Sequence, residues 1–131
     1  MKVYLAARFG RRAELIELRR TLQHLGWTVT STWLDITDDE DFDRAGTAAT
    51  DIADLLAADI VLSLTEEPND PIGKRGGRNV EFGLGLMAKK RMAIIGPREN
   101  VFHWLPEVDQ YPDVHDFLYQ MFLEYRASSG A

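Results

Sequence analysis

The sequence predicts an α/β domain built on a parallel sheet with helices on both faces. Three observations carry that prediction. Short, mostly apolar runs at 3–7 (VYLAA), 59–64 (DIVLSL) and 91–95 (RMAII) have the hydrophobicity of strands covered on both sides. Stretches with apolar residues three and four apart lie between them, the signature of amphipathic helices. The alternation of the two periods along the chain demands crossover connections, which parallel neighbours need.

Each element follows in order. Val3 to Ala7 opens the chain as a buried strand. Over 12–25, Leu15, Leu18, Leu22 and Leu25 define one helix face, and Gly26 is placed to end the helix. Residues 27–33 (WTVTSTW) are β-branched and aromatic and alternate, so they predict a second strand. An acidic stretch at 35–43 reads as a solvated loop leading into a helix over about 42–57, and 59–64 is the third strand. A loop rich in Pro, Asn, Asp and Gly spans 65–77, followed by a helix over 78–89 and a strand at 91–95 stopped by Gly96-Pro97. A short last strand is expected at 108–111. A closing helix over 112–126 has Val114, Phe117, Leu118, Met121, Phe122 and Tyr125 on one side. The domain is expected to cover 1–126, with 127–131 a loose tail.

Composition bounds the function. The 131 residues are 45% hydrophobic and 27% charged, enough for one domain with its own core. The chain has no cysteine, which removes disulfides, thiolate metal sites and cysteine nucleophiles together. No apolar run approaches the roughly 20 residues of a membrane helix, and the first strand is too short for a signal peptide. The expectation is therefore a soluble, cytoplasmic protein with no membrane partner. A net charge of −6 argues against a nucleic-acid polymer as partner, without describing any local site.

Ligands of parallel sheets bind beyond the carboxyl ends of the strands, near the point where strand order reverses. After the first strand comes Ala7-Arg8-Phe9-Gly10-Arg11-Arg12, which carries neither glycine-rich phosphate fingerprint. Its arginines stand beside a helix N-terminus, either holding an anion or forming a solvated basic turn. After the third strand, residues 73–83 (GKRGGRNVEFG) combine glycines, which allow close backbone approach, with Lys74, Arg75 and Arg78. Glu81, in the first turn of the following helix, either satisfies the helix dipole or serves as a fixed carboxylate nucleophile on a sugar carbon. Val80 and Phe82 beside it suggest a partly buried wall. Such chemistry usually wants a second carboxyl group. Asp51, Asp54 and Asp59 are candidates, and spacing does not choose among them. Tyr4 is either a core tyrosine or one whose hydroxyl holds a carboxylate in place. His24, His103 and His115 form no ligand pattern, so no metal site is expected, and Ser63 lacks the turn of a serine hydrolase.

Taken together, residues 3–6 (VYLA), Asp51-Ile52 with Ala58-Asp59-Ile60-Val61, residues 76–83 (GGRNVEFG) and 95–102 (IGPRENVF) resemble the nucleoside 2-deoxyribosyltransferase family. Its superfamily includes nucleoside 5′-monophosphate N-glycosidases. The resemblance spans about residues 3 to 110. It implies a flavodoxin-like, Rossmann-like three-layer sandwich with a five-stranded parallel sheet in the order 2-1-3-4-5. It assigns Glu81 as the nucleophile at C1′, Asp51 as the aspartate that contacts the nucleobase and manages its proton, and Tyr4 as the residue that orients the nucleophile. Phe9 would pack on the base. Arg8, Arg75, Gly77 and Arg78 fall in the substrate-binding loops, and Asn100 and Phe102 would reach a neighbouring subunit's pocket in a homodimer or larger homo-oligomer. No cofactor is implied.

The chemistry suits these residue types. Departure of the base leaves an oxocarbenium-like sugar, which a carboxylate stabilises and captures. Capture by a second base gives transfer, the leading expectation. Capture by water gives hydrolysis, the alternative for a 5′-monophosphate. Several family transferases carry an acidic residue six positions before the nucleophile, where this chain has Arg75. With Lys74, Arg78, Arg8 and Arg11 nearby, the expected picture is an acidic protein with a basic mouth. A nucleotide-binding module without catalysis is the alternative from another class. A flavin protein is disfavoured because the first loop has no Ser/Thr-rich phosphate cradle.

Overall fold

The computed structural model describes residues 1–36, 43–69 and 76–128. Five parallel strands form one sheet in the order β2-β1-β3-β4-β5. They are β1 (Lys2–Ala6), β2 (Thr28–Val29), β3 (Ile60–Leu64), β4 (Arg91–Ile95) and β5 (Val108–Tyr111). Four helices connect and close them: α1 (Arg12–His24), α2 (Arg44–Leu56), α3 (Gly77–Met87) and α4 (Val114–Ser128). This is the flavodoxin-like sheet order that the sequence led us to expect. No described helix is long and apolar enough to cross a membrane.

The most hydrophobic strand sits at the centre. Every residue of β3 is buried, and its neighbours pair with it in continuous register, Tyr4 opposite Val61 and Leu64 opposite Ile95. The chain leaves β1 in one direction for β2 and then returns across it to β3. Right-handed crossovers in opposite directions place α1 on one face and α2 and α3 on the other. Trp27, just after α1, meets Phe117 of α4 edge-on at 6.0 Å, while α2 packs against α3. The reversal between β1 and β3 is the switch point, and their carboxyl ends flank a crevice.

Three elements differ from the sequence reading, each for a physical reason. The second strand was expected over 27–33 but pairs only at Thr28–Val29. Beyond it, side chains continue the edge. The backbone N–H of Leu5 donates to Ser31 Oγ (3.1 Å), and the Trp33 indole N–H donates to the Leu5 carbonyl (2.8 Å). With the backbone groups of Leu5 already satisfied, 32–35 is free to coil into a 3-10 turn. The closing helix buries Phe117 and Met121, whereas Phe122 and Tyr125 are exposed, because a helix against the edge strand β5 covers a narrower stripe than six apolar residues present. The third helix starts at Gly77, after Gly76 in the left-handed region (φ 82°) that favours glycine.

Phe42, the first residue of the expected second helix, most of the acidic stretch and residues 129–131 of the expected tail lie outside the described residues.

Ser31→Ala leaves the buried N–H of Leu5 without an acceptor. The expected cost is about 1–3 kcal/mol, read as a lower urea midpoint with an unchanged m-value.

Candidate active site

Tyr4 lies fully buried in β1, so its hydroxyl must find a partner inside the protein. It donates to Glu81 Oε2, in the second turn of α3. One bond thus ties the central sheet to the helix over the crevice, and it fixes the carboxyl group of Glu81 in space. Burial pushes the Glu81 carboxyl up to about 7. The Tyr4 hydroxyl works against burial by favouring the carboxylate. Val80, expected to help wall in Glu81, is exposed, and Phe82 alone on that side is buried.

The structure separates the three aspartates that spacing left equal. Asp59 accepts from the backbone N–H of Lys2 at 2.9 Å, at the amino end of the sheet and away from the crevice. Asp54 accepts from the N–H and hydroxyl of Thr32, at 3.0 and 2.6 Å, and is committed to that turn. Asp51 keeps a buried Oδ1 with no hydrogen-bond partner among the described residues. Burial, helped by the nearby charge of Asp54, raises its carboxyl to about 6. Asp51 is on α2, which packs against the α3 that carries Glu81.

Three arginines of the expected basic mouth, Arg8, Arg11 and Arg78, are paired with carboxylates. Arg8 Nε donates to Glu66 Oε1 at 2.7 Å. Arg11 makes a two-armed pair with Glu14, both contacts at 2.9 Å, and lies 3.7 Å from the same Glu66 oxygen. Arg78, only 7% exposed, is clamped by Glu99 at 2.8 and 3.0 Å. Arg8 and Arg78 are therefore not open cations awaiting a phosphate. Arg12 keeps a buried Nε with no partner among the described residues. Lys74 and Arg75, also expected in the mouth, lie outside the described residues.

The remaining expected residues are placed as follows. Phe9 is half exposed and leans on Trp33, with ring centroids 6.2 Å apart, at the carboxyl ends of β1 and β2. Gly77 opens α3, and a Cβ there would meet nothing within 4 Å. Asn100 turns its side chain inward on its own loop and accepts from the Phe102 N–H at 3.0 Å. Phe102 is exposed beside Val101 and Trp104 on the 3-10 turn after β4.

Sequence reading missed two carboxylates that build this rim, Glu66 and Glu99. Glu99 accepts at Oε1 from both Arg78 and the backbone N–H of Glu66, and its own N–H donates to Nδ1 of the buried His103. His103 packs edge-on against Phe82, 4.7 Å between centroids. Burial and the flanking Arg78 and Arg98 hold His103 below its ordinary value, so it is neutral with its proton on Nε2. The one available signal for Glu66 was its place, two residues past the end of the central strand. The path of β4 into this rim requires Gly96: its φ is 116°, and a Cβ would come within 2.6 Å of Thr65 Oγ1.

A parallel sheet with its reversal at β1/β3, and a buried carboxyl group held at the carboxyl end, defines a flavodoxin-like domain with an acidic site at its switch point. Solved structures that share this fold include two enzymes. The 2-deoxyribosyltransferase of Bacillus psychrosaccharolyticus superposes with a TM-score of 0.68 at 20% identity, covering 89% of this chain and 90% of that one. The CMP N-glycosidase BcmB of Clostridium botulinum gives a TM-score of 0.63 at 17% identity, over 94% and 99%. No family model and no curated protein sequence matches the chain.

Two measurements follow from the electrostatics. Carbon NMR of the Glu81 side-chain carboxyl is expected to titrate near 7, and Tyr4→Phe, which removes the donor, moves that midpoint higher. Stability carries the same sign. The folded protein holds a proton on Glu81 at pH values where the unfolded chain, at an ordinary 4.5, has released it. The contribution is complete below about 4.5 and is lost as pH rises through about 7. Urea midpoints should fall across that window in the native protein and fall less in Glu81→Gln.

Proposed function

We propose that this chain is an enzyme that cleaves the N-glycosidic bond of a (2′-deoxy)nucleoside and transfers the sugar to another nucleobase. The observation that carries the reading is the bond between Tyr4 and the buried Glu81 at the switch point of the sheet. The fold shared with a deoxyribosyltransferase and a CMP N-glycosidase supports the same class of reaction.

Each residue has a role. The Glu81 carboxylate attacks C1′ as the C1′–N bond breaks and its electron pair leaves with the base. Tyr4 holds one Glu81 oxygen and leaves the other for C1′. Protonated Asp51 gives the departing base its proton, and a carboxyl near 6 is suited to that exchange. The product is an ester between C1′ and Glu81. A second base attacks C1′, frees Glu81 and returns its own proton to Asp51. Water in place of the base gives hydrolysis. Phe9 packs on the base. Phe102, exposed on its turn, reaches the pocket of a second copy in a homo-oligomer.

Incubation with a deoxynucleoside and adenine, followed by chromatography of the bases, tests the reaction. Base exchange is expected, and Glu81→Ala abolishes it while circular dichroism stays native. Unchanged exchange in that folded variant would refute the mechanism. The acid and nucleophile also predict a pH profile. With Glu81 ionising near 7 and Asp51 near 6, kcat/KM peaks between these values. Asp51→Asn removes the alkaline fall, leaving a lower rate that climbs through about 7 and levels off.

A further inference from the structure

We infer that Glu66 reads the 5′ end of the substrate: its carboxylate, seated between Arg8 and Arg11, takes the place of an anionic 5′ substituent, so that the site admits a 5′-hydroxyl and turns away a 5′-phosphate. This rests on the glycosyl-transfer reading above and names its substrate class as the unphosphorylated nucleoside.

Position is the first support. Arg8 follows β1, the strand of Tyr4, while Glu66 follows β3, so their ion pair closes across the switch point itself. The N–H of Glu66 is bound to Glu99, and Glu99 holds Arg78, which lies about one helical turn before Glu81. Glu66 is thus anchored to the same rim as the carboxyl expected at C1′. The 5′ group is the part of a nucleoside that projects from the sugar on the far side of the ring from C1′, toward such a rim.

Charge is the second support. Arg8, Arg11, Glu14 and Glu66 contribute two cations and two anions, so these four paired groups carry no surplus positive charge among themselves, and Arg12, with a buried Nε that has no partner among the described residues, stands outside the cluster. The Glu66 side chain is 15% exposed and those of its two arginines 32% and 19%, so the pairs are partly sheltered from solvent screening. A phosphate monoester carries roughly −1.5 to −2 charge near neutral pH. It would have to displace Glu66 from both arginines and then sit beside the expelled carboxylate. A 5′-hydroxyl can instead donate to that carboxylate.

Calorimetry of the full chain tests the inference, using a 2′-deoxynucleoside, its 5′-monophosphate and inorganic phosphate, alongside kcat/KM for the first two. The native protein is expected to favour the nucleoside over the monophosphate by about tenfold or more in Kd. Glu66→Gln, which keeps the side chain's shape, should shift that ratio toward the monophosphate by a similar factor and create binding of inorganic phosphate. Arg8→Gln added to Glu66→Gln should cancel the gain. A purely structural Glu66 would weaken both ligands together and leave the ratio unmoved, which overturns the inference. A native preference for the monophosphate overturns it too, and needs no variant to fold. Selective nucleoside binding without base release would sustain the inference and count against the reaction. Binding of neither nucleoside nor monophosphate would remove both.

Discussion

The hydrogen bond from Tyr4 to Glu81 is the constraint on which the site depends. A tyrosine in a strand covered on both faces buries a hydroxyl that water cannot reach, and an unpaired one would cost free energy. A carboxyl group in the same crevice has the complementary need. Each supplies what the other lacks, so the pair fixes how α3 sits against β1. The raised pKa of Glu81 follows from the same burial. A carboxylate that water solvates poorly is held in a higher-energy charged state, which suits the nucleophilic role proposed for it.

Around that bond the rim is built from shared acceptors. Glu99 serves the Arg78 guanidinium and the Glu66 N–H with one oxygen, and Glu66 serves Arg8 while lying near Arg11. The loops after β1, β3 and β4 and the start of α3 are thereby coupled. Partly buried ion pairs of this kind gain from one another because removal of any partner leaves a charge uncompensated. The stiffness of the crevice is then a property of the network as a whole.

The positions of most strands and helices were legible because hydrophobic period reports burial directly, whereas the sheet order came from the family resemblance. Residues 91–95 and 108–111 fell where the sequence put them. The second strand was misjudged because propensity cannot foresee that Ser31 and Trp33 would take over the hydrogen bonds of Leu5. Tyr4 and Glu81 stood out in the sequence as candidates, and coordinates show that they meet; spacing left Asp51, Asp54 and Asp59 equal, the resemblance favoured Asp51, and the coordinates show that the three differ in partners and not in residue type. The pairing of three of the mouth's arginines was hidden for the same reason. Arg8, Arg11 and Arg78 are conspicuous in sequence, while Glu66 and Glu99, which neutralise them, lie far along the chain.

That neutralisation changes what the surplus of acidic residues means. A net charge of −6 on the whole chain would be compatible with a strongly cationic pocket if the acids lay elsewhere. Here some of them lie in the pocket's own rim. An arginine paired with an internal carboxylate still offers shape and direction, but it offers little net attraction to an incoming anion, because binding must first break an existing pair. Selectivity between a neutral sugar terminus and a phosphorylated one then turns on whether a ligand can replace Glu66 at lower cost than the protein keeps it. A dianion brings more attraction for the two arginines, and it also meets the displaced carboxylate at close range. The N–H of Glu66 bound to Glu99 fixes its main chain at the rim, so the carboxylate can withdraw only by turning its side chain. On the inference drawn for Glu66, the charge arrangement of the rim is what would favour a hydroxyl.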